Sequence, residues 1–152
     1  MTTTLEKNPL IIDLLNGTYS SIKTTVPIQH KMKKPKILKQ PLNLQYGVLI
    51  GLTIDMNGKL ILAGDTSIFA SIGEAMFGMQ LENEMLISFS GELGNMIAGS
   101  LSMNLVENGI HTDITSPIII EENTTISEYQ KGLHLTAVFA NKGELDIYIL
   151  LD

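Results

Sequence analysis

Two stretches of this chain read as β-hairpins, Leu44–Asp55 with Lys59–Gly64 and Leu133–Ala140 with Glu144–Leu151, and each follows a helical stretch and a proline-bearing connection. The turn of the first is Met56-Asn57-Gly58, where Asn-Gly supplies the positive φ angles of a tight hairpin; the turn of the second is Asn141-Lys142-Gly143. Leu135, Ala137 and Phe139 alternate with polar residues, as do Leu145, Ile147 and Ile149 opposite them, the pattern of half-buried antiparallel strands. The order helix, connection, hairpin therefore occurs twice, in residues 5–64 and 82–151. A chain so patterned must cover the apolar face of an antiparallel sheet with its helices.

Leu5–Ile22 carries Leu10, Leu14 and Leu15 at helical spacing, with Asn8-Pro9 as a start and Gly17 as a weak point. Ser67–Phe77 is a second helix, capped by Asp65 or Thr66 and ended by Gly78. Glu82–Val106 is a long third one, with Glu82 and Glu84 at the end where the dipole favours them and Asn108-Gly109 as the stop. Residues 24–43 hold Pro27, Pro35, Pro41 and five lysines, Lys31, Lys33, Lys34, Lys36 and Lys39. They predict a connection with an edge strand, its lysines either solvated or docking an acidic partner. Thr112–Ile120 reads as a strand interrupted by Pro117, and Glu121–Lys131 as a loop or short helix. The expectation is one α+β domain over residues 1–152, a largely antiparallel sheet with two long helices side by side on it. A duplication would pair Asp13 with Glu92, Pro27 with Pro117 and Gly58 with Gly143, at uneven offsets of 79, 90 and 85, making Asp13-Leu-Leu-Asn16 a faded copy of Glu92-Leu-Gly-Asn95.

Composition removes several function classes. The chain has no cysteine, so it has no thiolate nucleophile and no cysteine zinc site. A net charge of −6 argues against nucleic-acid binding, which relies on a basic field. All ten positive residues are lysines; without arginine there is no bidentate clamp on phosphate, and cations for phosphate chemistry must come from elsewhere. Tyr46–Ile54 is the most apolar run, far short of the roughly 20 residues that a membrane helix needs. The first residues lack a signal peptide's basic and apolar regions, which predicts a cytoplasmic protein with no membrane partner. His30, His111 and His134 are widely separated and form no metal-ligand motif by spacing, so they are expected as surface or satisfied core residues. Met76, Met79, Met85, Met96 and Met103 cluster around the helices and are expected to fill core gaps rather than form a binding surface, the alternative that methionine's adaptability leaves open.

The long helix carries the candidate working surface. At helical pitch Ser88, Glu92, Asn95, Gly99 and Ser102 fall within an arc of about 80°, with Phe89, Leu93, Met96 and Ile97 on the core side. A carboxylate and a carboxamide three residues apart can grip a cation and orient a water. Gly94 and Gly99 each cost about 1 kcal/mol relative to alanine in a helix interior, which signals close approach, by a neighbouring helix or by a partner's backbone.

Ser88, Glu92, Asn95 and Pro117 together resemble the signature of the CheC/CheX phosphatases of bacterial chemotaxis: Asp or Ser, three residues, Glu, two residues, Asn, and a proline some twenty-odd residues on. Ala75-Met76-Phe77-Gly78, Glu92-Leu-Gly-Asn95-Met-Ile-Ala-Gly99 and Asn8-Pro9 also look like that family, and the similarity extends in element order over essentially the whole chain. One good copy of the motif is closer to CheX than to CheC. Pro117 stands one residue nearer Asn95 than the family spacing, and Gly94 replaces a better helix former.

The resemblance implies a pseudo-duplicated CheC/CheX fold and a phosphatase acting on the phospho-aspartate of a CheY-like receiver domain. Asn95 would orient the attacking water and Glu92 would engage the receiver's active-site lysine, with Ser88 and Gly99 in the partner-binding surface. Mg²⁺ would come with the receiver, and this chain would need no cofactor of its own. A homodimer by edge-strand pairing is also implied, as in CheX. The same motif occurs in CheC-like domains of flagellar switch proteins, so a non-catalytic interaction or scaffold domain stands as the second expectation.

Overall fold

The computed structural model describes residues 8–39 and 41–152. In chain order its elements are α1 (Pro9–Thr25), β1 (His30–Met32), β2 (Lys36–Leu38), β3 (Leu42–Leu44), β4 (Gly47–Ile54), β5 (Gly58–Ala63), α2 (Thr66–Phe77), α3 (Asn83–Val106), β6 (Thr112–Ile114), β7 (Ile118–Ile120), β8 (Thr124–Ile126), β9 (Lys131–Phe139) and β10 (Gly143–Leu151). Eight strands form one sheet in the order β1-β9-β10-β5-β4-β6, with β2 also on β9 and β7 also on β4. β3 and β8 form a second, two-stranded sheet. Every pairing among the described residues is antiparallel.

Alternation along the strands sorts the core into two layers. Leu133, Leu135, Ala137, Leu145, Ile147 and Ile149 face the helices and meet Ile11 and Leu14 of α1, Phe69 of α2, and Leu93, Ile97 and Leu101 of α3. On the other face Ile61, Tyr148 and Leu150 are covered by Leu42 and Leu44 of β3 and by Ile120 of β7. α1 and α3 lie side by side, as expected. Their contact is pinned at Gly17, where a Cβ would come within 2.8 Å of Leu101 Cδ1, and by Asn104 Nδ2, which donates to Gly17 O and Ser21 Oγ, each at 3.2 Å.

The expected helix-start and helix-stop residues are in place, although α1 runs three residues past the expected end at Ile22, to Thr25. Asn8 Oδ1 accepts from the amides of Leu10 and Ile11 at 3.0 and 3.3 Å, so α1 starts at Asn8-Pro9. The expected helical residues 5–7 lie outside the described ones. α2 starts one residue early, at Thr66, and Asp65 takes the cap position without a side-chain bond. Gly78 adopts φ 72° and its amide donates to Glu74 O at 2.7 Å, closing α2. Gly109, at φ 80°, follows the end of α3.

Four expectations need correction. Glu121–Lys131 is neither plain loop nor helix: Thr124–Ile126 is β8, paired with β3, a long-range partner that its polar composition does not reveal. The first hairpin's positive φ falls on Ile54, at 84°, and not on the Asn-Gly dipeptide; Gly58 is required because a Cβ there would strike the carbonyl oxygen of Leu150 on β10. Of the five methionines assigned to core gaps only Met76 packs against the core, while Met79, Met85, Met96 and Met103 are exposed. Pro27 is also the wrong counterpart for Pro117. β1, β2 and β3 correspond to β6, β7 and β8 at a constant offset of 82, which pairs Pro117 with Pro35, each directly preceding a three-residue strand.

With α1 matched to α3, and α2 set between the halves, the two halves interlock. The first half's β1 and β2 pair with β9 of the second, while β6 and β7 pair with β4 of the first. β3 joins β8, and β5 joins β10 at the centre.

Candidate functional site

α3 is a helix with a dry side and an open side. Phe89, Ser90, Gly91, Leu93, Gly94, Ile97 and Ala98 are buried, whereas Ser88, Glu92 and Asn95 are exposed and Gly99 is half-buried. The structure thus places Ser88, Glu92, Asn95 and Gly99 on one outward strip. Ser102, last in the stripe, is tied down instead: its Oγ donates to Thr112 O of β6 at 2.6 Å. Met96 lies at the rim of the strip, 39% exposed, rather than on the core side.

The buried side explains how that strip is held. A Cβ at Gly94 would lie 2.8 Å from Val48 Cγ1 and 3.2 Å from Ile50 Cδ1, so the glycine lets the turn between Glu92 and Asn95 rest directly on β4. Close approach is by the sheet, neither by a helix nor by a partner. Gly99 differs: nothing lies within 4 Å of a Cβ there. A Cβ at Gly91 would be 3.3 Å from Ile119 Cδ1 and 3.6 Å from Pro117 Cγ, which puts Pro117 against the flank of the turn that carries Glu92. Ser90 Oγ donates to Leu86 O at 2.8 Å and shares a 2.7 Å hydrogen bond with Tyr46 Oη. Tyr46 in turn stands edge-on to Phe69 of α2, ring centroids 5.2 Å apart. A strand, a proline and a tyrosine thus hold the stretch Ser90–Gly94 of α3 from behind.

Ser88 and Glu92 also form one wall of a groove of about 580 Å³ that runs under the C-terminus of α2. Its apolar residues include Phe77, Met79 and Met85, the two methionines having been expected in core gaps rather than at a binding surface. The signal was there: on the helical wheel that defines the strip, Met85 lies about 20° from Glu92.

The lysines of residues 31–39 are exposed along the β1 and β2 edge, well represented by Lys33, whose Nζ pairs with Glu144 at 3.1 Å. His134 has a carboxylate partner that linear spacing hid: its Nε2 is 2.8 Å from Asp146 Oδ1, which also accepts from Thr136 Oγ1 at 3.0 Å. It is a satisfied histidine on the sheet's second face. Among the described residues no three His, Asp or Glu side chains converge as metal ligands. No helix among them is long and apolar enough to cross a membrane.

Residues 46–140 match the family described as chemotaxis phosphatase CheX. The CheY-P phosphatase CheX of Thermotoga maritima is 32% identical over 142 residues, covering 90% of this chain and 91% of its own. A CheC-like superfamily protein from Shewanella sp. PV-4 superposes with a TM-score of 0.79 at 24% identity, over 93% of this chain and 98% of that one. CheX in the CheX–CheY–BeF₃–Mg²⁺ complex from Borrelia burgdorferi superposes with a TM-score of 0.77 at 22% identity, over 93% and 96%.

Proposed function

This chain belongs to the chemotaxis phosphatase CheX family, and from that premise we propose that it hydrolyses the phospho-aspartate of a CheY-like receiver domain. The observation that carries the proposal is the outward placement of Glu92 and Asn95 on a helix whose opposite side is locked to the sheet. An acyl phosphate is already labile, and hydrolysis needs a water placed in line with phosphorus opposite the aspartyl oxygen. As the water's oxygen bonds to phosphorus the P–O bond to aspartate breaks, leaving a carboxylate on the receiver and inorganic phosphate.

Asn95 serves as the orienting group. Its carboxamide accepts a hydrogen bond from the water and donates another, which requires no shifted pKa. Glu92 engages the receiver's active-site lysine and so fixes the register of Asn95, while Ser88 and Gly99 lie under the docked partner. The receiver contributes the Mg²⁺, in keeping with the composition of the Borrelia complex. An acceleration of about a hundredfold over spontaneous loss corresponds to about 2.7 kcal/mol, within reach of one placed amide. The proposal extends to a cytoplasmic protein that acts as one domain over residues 1–152 and dimerises through a sheet edge, which sedimentation would test.

The deciding experiment is incubation of the purified chain with phosphorylated CheY-like receivers while inorganic phosphate is followed. Accelerated release is expected for at least one receiver. Binding without acceleration would mark the chain as an interaction domain and overturn the catalytic proposal.

A further inference from the structure

The groove beside Glu92 is built as a docking pocket. Its floor is Leu81 and Phe89, both buried, and it is set close because Gly73 of α2 has no Cβ: one there would lie 2.6 Å from Leu81 Cδ1 and 3.3 Å from the Phe89 ring. Phe77 stands edge-on to Phe89, centroids 5.7 Å apart and planes at 87°, yet it is 58% exposed. Met79 and Met85 complete the apolar lining at 51% and 55% exposure. Large apolar side chains gathered at one exposed place mark a contact surface in a soluble domain. Methionine suits such a surface because its flexible thioether adapts to the side chain it meets.

Two further observations identify the occupant. The groove is continuous with the proposed catalytic strip, since Ser88 and Glu92 belong to both, so a receiver that brings its phosphoryl group to Asn95 comes against the groove's wall. The charged residues lining it are Glu84 and Glu92, with Glu82 one turn from Met85 and no lysine on the lining. We infer that this groove receives, from the same phosphorylated receiver, a surface segment bearing a large apolar side chain beside a basic one, and that the groove sets affinity for the receiver. The inference rests on the receiver being the partner, as proposed above.

The test replaces exposed groove residues, so that folding is not at stake, and separates binding from chemistry. Met79→Lys and Met85→Lys are each expected to raise KM for the phospho-receiver about tenfold and to weaken binding of the beryllofluoride-activated receiver equally, with kcat within twofold of wild type. Met85→Leu is expected to retain wild-type KM. Ser127→Lys, exposed just after β8 on the sheet face opposite α3, serves as the control and is expected to change neither parameter. Unchanged KM in both groove variants, with an active wild type, would overturn the inference. A wild type that binds the activated receiver, loses binding in Met85→Lys and yet releases no phosphate would sustain the groove and overturn only the catalytic proposal.

Discussion

Gly94→Ala and Gly99→Ala add the same methyl to the same helix, and the packing around them demands opposite outcomes. Each replacement raises helix propensity by about 1 kcal/mol. At Gly99 nothing opposes that gain, because no atom lies within 4 Å of the new Cβ. At Gly94 the new carbon would be 2.8 Å from Val48 Cγ1, whereas carbon atoms rest at about 3.5–4.0 Å. Val48 cannot yield: it is 1% exposed, β-branched and therefore stiff, and its strand is paired on both sides, with β5 and β7. Overpacking of this kind costs about 1–3 kcal/mol. Gly99→Ala should thus be more stable than wild type by about 1 kcal/mol, and Gly94→Ala should fall about 1–3 kcal/mol below Gly99→Ala. For a chain of this size each kcal/mol moves Tm by about 2–4 °C. Urea titrations and thermal melts of the two variants, with equal m-values, measure the difference directly. The double variant Gly94→Ala/Val48→Ala should recover at least about 1 kcal/mol relative to additivity, since the nearest obstacle is removed. Equal stabilities for the two single variants would refute the claim that the turn between Glu92 and Asn95 rests on β4.

Asn95→Ala is expected to abolish accelerated phosphate release while leaving receiver affinity largely intact, and Glu92→Ala to weaken both; phospho-receiver decay alongside binding titration distinguishes them. Gly99→Ala, though more stable, should raise KM severalfold if the receiver closes over that open surface, so that stability and turnover move in opposite directions. Burial alone would raise the Asp146 carboxyl, but hydrogen bonds from His134 and Thr136, with the charges of His134 and Lys33, hold it below its ordinary value. That stabilisation is present above the ordinary carboxylate range and fades as pH falls through the lowered value. Melts of wild type and Asp146→Asn should accordingly differ near pH 7 and converge from about pH 4 downward.

Both hairpins, the three helices among the described residues and the outward strip on α3 were legible in the sequence, because period and turn chemistry are local properties. Contacts between distant elements were not. Thr124–Ile126 pairs with Leu42–Leu44 across 82 residues, and nothing in Glu121–Lys131 itself announces a strand. Gly94 looked like room for a neighbour, but only the register of α3 on β4 shows that the neighbour is Val48. The exposed methionines misled because methionine is equally at home in a core gap and on an adaptable surface; the angular position of Met85 beside Glu92 was the cue that separated the two. His134 and Asp146, twelve residues apart, meet because the turn at Gly143 sets their strands in register.

The exchange of short strands between the halves bears on how the protein is made. While residues 9–63 emerge from the ribosome, β1 and β2 have no partner, since the strand they pair with ends only at Phe139. The nascent first half must wait with an apolar hairpin open along β5, whose other neighbour is β10. Non-local closure of this kind slows folding and lengthens the interval in which an uncovered edge can meet another chain.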